Sequence, residues 1–160
     1  IRESQLNKRI CKEKQEKKLN ININYVFFFL FLLLFVVACS KKELSAESFS
    51  KKMSNKDYAV VDISNNNKKI MLAVGDYYQV YYYKFSSTKK SKEFIKNEIN
   101  GLKSKNNIIK KEKNNSYEKY LISNKNVYTI YSRIDDTCIS ASTVKTYSNN
   151  VDQLFDYLGY

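Results

Sequence analysis

Residues 26 to 38 read Val-Phe-Phe-Phe-Leu-Phe-Leu-Leu-Leu-Phe-Val-Val-Ala, thirteen consecutive side chains without a polar atom. No face of such a run can meet water, so it is expected to leave the aqueous phase altogether. As a helix it reaches about 20 Å, well short of a hydrocarbon core of about 30 Å. Its length instead fits the apolar region of a signal peptide, typically about 7 to 15 residues. A net positive stretch, Lys12 to Lys18, and a polar spacer, Leu19 to Asn24, precede it. The run therefore divides the chain into a targeting part and a part that folds.

The run ends on Val36-Val37-Ala38-Cys39, which resembles the lipobox of bacterial lipoproteins. The resemblance implies that the Cys39 thiol receives a diacylglyceryl group and that a signal peptidase cuts between Ala38 and Cys39. Val36 departs from the usual Leu three places before the Cys. Two acyl chains anchor stably where one binds only marginally. On this reading residues 1–38 are a disordered extension plus signal peptide, 39–44 a lipidated Cys and short tether, and 45–160 an extracytoplasmic domain. The chain opens on Ile1 and its first Met is Met53, so residues 1 to 11 are expected to be a fragment end or an over-extended frame.

After Cys39 the side-chain pattern changes to short periodic segments separated by Asn, Asp and Ser. Ser45 and Glu47 open a helix that ends near Asn55, with Phe49 and Met53 on one face. The pattern predicts strands at Tyr58–Ile63, Lys69–Val74 and Tyr77–Phe85, the last two joined about Gly75-Asp76. A helix over 88–104 carries Phe94, Ile95, Ile99 and Leu102 at helical spacing. Four strands are expected next, at Ile108–Lys113, Tyr117–Ile122, Val127–Ile134 and Thr137–Val144. Ser148 is expected to cap a final helix bearing Val151, Leu154, Phe155 and Leu158, which Gly159 stops. This α-β-β-β-α-β-β-β-β-α order predicts an α+β domain: a single, mostly antiparallel sheet with helices packed on one face.

That layout, the Ser45-Ala46-Glu47-Ser48-Phe49 opening and the Leu158-Gly159-Tyr160 ending resemble the small, mostly uncharacterised membrane lipoproteins of Gram-positive bacteria. The resemblance implies a lipid-anchored location at the extracytoplasmic face of the cell membrane and carries no activity.

The residues narrow the chemistry. The chain has no His, which excludes Ser-His and Cys-His catalysis and imidazole metal ligands. Its three glycines are isolated at 75, 101 and 159, so no phosphate loop is present. No cysteine pair has metal-ligand spacing, and Cys138 reads as a small strand residue in the core. Asp135-Asp136 reads as a turn. No metal, no cofactor and no catalytic residue is expected. After Cys39 there are 21 Lys plus Arg against 13 Asp plus Glu, but the lysines are scattered and read as a solvated basic surface.

The suggestive feature is the tyrosine-rich strand. Tyr77, Tyr81, Tyr83 and Phe85 alternate onto one face, where rings beside lysines could stack sugars or peptides. The expected function is a monomeric, non-enzymatic binding module at the cell envelope. Beyond the membrane itself, its partner would be a protein, a peptide or an anionic wall polymer, and not nucleic acid. Two rivals are an immunity-type lipoprotein that blocks a secreted toxin and an envelope-acting hydrolase working through Asp62, Asp135 or Asp136.

Overall fold

The computed structural model describes residues 41–66, 68–103 and 107–160. The chain divides into a unit of residues 1–40 and a unit from Lys41 to Tyr160. The segment expected to be a signal peptide, with Ala38 and Cys39, lies outside the described residues.

The elements of the second unit are α1 (Ala46–Ser54), β1 (Ala59–Asp62), β2 (Lys69–Val74), β3 (Gln79–Lys84), α2 (Thr88–Lys103), β4 (Asn107–Lys113), β5 (Tyr117–Ser123), β6 (Val127–Ile134), β7 (Thr137–Val144) and α3 (Ser148–Leu158). They build an α+β fold on one seven-stranded antiparallel sheet, in the order β1-β2-β3-β7-β6-β5-β4. Hairpins make every neighbour pair except one. That exception, β3 against β7, joins the two halves of the sheet through Tyr81↔Ser140 and Tyr83↔Cys138.

Local chemistry sets the ends of these elements. The Ser48 amide donates to Ser45 Oγ at 3.1 Å, which caps α1. Gly159 takes φ 92°, a left-handed stop that glycine adopts without a Cβ penalty. The expected Ser148 cap is not made. Ser148 is the first residue of α3 itself, and a 3-10 turn at Lys145–Tyr147 feeds the helix without a side-chain cap. Gly75 is required for a different reason: a Cβ there would come 2.5 Å from the Tyr58 ring.

The helices do not share one face of the sheet, which corrects the expectation. Helices α1 and α3 cover the face bearing Val80, Tyr82, Ile130, Ile134, Ile139 and Ala141, burying Phe49, Met53, Val151, Leu154, Phe155 and Leu158 against it. Helix α2 lies on the opposite face, where Ile95 and Ile99 bury against Tyr120, Ile122, Cys138 and Phe85. The reason is that strands β5 to β7 carry apolar or large side chains at both alternations. Each face then needs its own cover.

The C-terminus closes the first layer. Tyr160 is fully buried, and its hydroxyl meets Thr137 Oγ1 and accepts from the Leu44 amide at 3.4 Å. The Tyr82 hydroxyl donates to the Leu44 carbonyl at 2.9 Å. Lys41 sits 3.9 Å from the Tyr117 ring centroid, and Glu43 pairs with Lys84 at 3.0 Å. Lys41, Glu43 and Leu44 of the segment read as a short tether thus contact the domain.

Candidate functional site

Helix α2 leaves part of its sheet face uncovered, between β3, β7 and the loop from Gly75 to Tyr78. A groove of about 480 Å³ opens there. Its floor follows directly from strand register. Tyr81 pairs with Ser140, and Ser140 pairs with Tyr131, while Gln79 pairs with Ser142 one row along. Residues opposite one another in register point to the same face. Three strands therefore contribute a patch of phenols and hydroxyls.

The groove is internally ordered by hydrogen bonds. The Tyr81 hydroxyl donates to Gln79 Oε1 at 3.1 Å, and Thr129 and Ser142 share a hydroxyl contact of 2.9 Å. Tyr131 donates to Glu98 Oε2 of α2 at 3.0 Å. The Tyr81 and Tyr83 rings lie nearly parallel, at 10° and with centroids 6.1 Å apart. Burial pushes the Tyr83 phenol up to about 12, partly offset by its Ser140 hydrogen bond. Burial, followed by the Glu98 carboxylate, raises Tyr131 as well. Both phenols stay neutral hydrogen-bonding groups at physiological pH.

The four aromatic residues singled out in sequence separate in space. Tyr81 and Tyr83 line the groove. Tyr77 lies in the hairpin loop rather than in β3, is 65 % exposed, and stacks on Tyr147 at 4.5 Å as the rim of the groove. Phe85 is buried against Phe94 at 5.2 Å, under α2 and away from the opening. Tyr131, Ser140 and Ser142 were not legible as site residues. Each alternates correctly on its own strand, but nothing local says that β7 lies beside β3.

No family model, curated protein or solved structure matches the chain. The groove is read from its own chemistry. Among the described residues Asp76 is the one charged group in its lining, and the rest are aromatic rings, hydroxyls, an amide and small apolar groups. Such a surface suits neutral ligands that combine flat apolar faces with hydroxyl or amide edges.

The carboxylates considered for hydrolysis lie apart from the groove. Asp135 has φ 48° in the β6–β7 turn, where its carbonyl accepts from Arg133 at 2.9 Å and from Ser91 at 2.6 Å. Asp136 pairs with Lys84 at 2.6 Å. Burial alone would raise its carboxyl, but hydrogen bonds from Glu43 and Lys84 hold it low. Asp62 on the β1 edge is paired with Lys69 and Ser64, and these bonds, Lys69 first, lower its carboxyl to about 2. Cys138 is fully buried, and burial pushes its thiol up. Among the described residues no group of carboxylates and cysteines could hold a metal ion, and no helix is long and apolar enough to cross a membrane.

The Asp62 pairing has a pH consequence. Its folded value lies below the ordinary aspartate value of about 3.9, so its contribution to stability is present above that value. It is lost as pH falls through about 2. A carboxyl carbon NMR titration of Asp62 should show a midpoint near 2, moving toward the ordinary value in Lys69→Gln. An ordinary midpoint in the native chain would refute the pairing.

Proposed function

We propose that the chain is a membrane-anchored extracytoplasmic lipoprotein whose α+β domain is a non-enzymatic binding module of the cell envelope. The observation that carries the binding role is the tyrosine-floored groove, which is built from three strands and held by its own hydrogen bonds. The anchoring role is supported by the Val36-Val37-Ala38-Cys39 motif after thirteen apolar residues.

The ligand that fits the groove is a sugar or a peptide segment. Its flat faces stack on Tyr81 and Tyr83 while Gln79, Ser140 and Ser142 meet its polar edges. The near absence of charge argues against an anionic polymer in this groove. With Cys39 acylated, Ser40 alone stands between the lipidated residue and Lys41. At about 3.5 Å per residue the domain then sits within roughly 10 Å of the headgroups.

The two halves of the reading are tested separately. In cells fed labelled palmitate, Cys39→Ser should lose the label and leave the membrane fraction. A native chain that never takes up label removes the anchor. Partners captured from membranes by the native chain should be lost with Tyr81→Ala plus Tyr83→Ala. Unchanged capture removes the groove.

A further inference from the structure

Helix α2 carries Lys92 and Lys96 one turn apart, and β4 carries Lys111 and Lys113 two residues apart. Register places Lys111 opposite Tyr120 and Lys113 opposite Glu118, on the sheet face that α2 covers. The four lysines line a cleft of about 350 Å³ between helix and sheet, with Glu118 and Tyr120 also in its wall. The four lysines are solvent-exposed, as the sequence suggested, but they are gathered rather than scattered. Two from each wall meet across one concave space.

Among the described residues Glu118 is the cleft's single carboxylate, and its charge is already engaged. Arg133 Nη2 lies 3.4 Å away, Lys113 Nζ lies 3.6 Å away, and the Tyr120 hydroxyl donates to it at 3.0 Å. Among the described residues no ion pair engages Lys92, Lys96 or Lys111. Lys111 lies 5.4 Å from the centroid of the Tyr120 ring. Like charges gathered along a concave wall repel one another and concentrate anions in the space between them. An anion bridging both walls would relieve that repulsion.

We propose that this cleft binds a ligand carrying two or more phosphate groups. Ammonium groups are compact point charges that suit phosphate oxygens without demanding a planar fork. A pair on each wall matches two anionic centres better than one carboxylate. The site shares no lining residue with the tyrosine groove and stands or falls independently of it. A lipid headgroup and a soluble phosphate polymer share this chemistry and are both sources of the ligand.

The test is the acetylation rate of each lysine, read by mass spectrometry on the full chain in neutral detergent micelles. The probes are inorganic pyrophosphate, a glycerol phosphate oligomer, and micelles doped with cardiolipin, whose headgroup carries two phosphates. At least one probe should slow acetylation of Lys92, Lys96, Lys111 and Lys113 by about tenfold, leaving Lys51, Lys125 and Lys145 unchanged. Protection by the doped micelles alone assigns a lipid headgroup, and protection by the soluble probes assigns a free phosphate ligand. K92Q combined with K96Q changes only exposed helix positions, and it should abolish protection at Lys111 and Lys113 while circular dichroism stays native. Uniform slowing of every lysine, no slowing with any probe, or protection that survives the double substitution overturns the proposal.

Discussion

Replacing Arg133 by Met should cost about 3–5 kcal/mol of stability, a large part of the roughly 5–15 kcal/mol available to a domain of this kind. Arg133 is fully buried and Glu118 is 4 % exposed. The guanidinium holds Glu118 Oε1 at 3.4 Å and the Asp135 carbonyl at 2.9 Å. Without it a carboxylate remains under α2 with, among the described residues, the Lys113 ammonium and the Tyr120 phenol as partners. The penalty comes from leaving a buried charge short of partners, not from the ion pair's net worth. Arg133 Nε has no hydrogen-bond partner among the described residues, so the pair is incompletely compensated even when whole. The double change Arg133→Met with Glu118→Leu should therefore recover most of the loss. Thermal unfolding checks both: a fall of roughly 10–20 °C for the single change, and a much smaller one for the double. Equal losses in the two proteins would show that Arg133 acts through shape alone.

Phe155→Ala should cost a similar amount, about 3–5 kcal/mol. The ring is fully buried in the layer that α1 and α3 form with the sheet. Its carbonyl also receives the Gly159 and Tyr160 amides, at 3.0 Å and 2.9 Å, in the turn that ends α3. Truncation leaves a cavity beneath α3 that the surrounding core closes only in part. Hydrogen exchange should quicken through α3 and at Leu44, whose amide depends on the Tyr160 hydroxyl. Tyr157→Ala, on the exposed side of the same helix, should cost no more than about 1 kcal/mol. Comparable losses at positions 155 and 157 would mean that α3 is not seated by its apolar stripe.

The elements themselves were legible because their signals are local. The short runs of strand-favouring residues in Lys69–Val74 and Val127–Ile134, the Ser45 cap, the Gly159 stop and the 3.6-residue stripe of α3 each depend on residues a few places apart. The same locality placed Asp135-Asp136 in a turn and Cys138 in the core. Tyr81 and Tyr83 were legible as neighbours on one strand face for the same reason. Locality also explains the misreadings. Tyr77 continues the tyrosine run but falls in the hairpin loop, because Gly75 turns the chain against the Tyr58 ring. Phe85 continues the alternation but is covered by Phe94, a residue of the helix that follows.

By itself the sequence determined the α+β class, nearly every element after Lys41 and the lack of any histidine to supply imidazole chemistry. Only the tertiary structure decided that β3 lies against β7, that the helices sandwich the sheet, and that two pairs of lysines face each other across a cleft. Pairing between strands more than fifty residues apart depends on how whole faces bury against one another, and no window of neighbouring residues records that. Both candidate binding surfaces are products of this non-local packing: the groove is where α2 stops covering the sheet, and the basic cleft is where it stands beside β4.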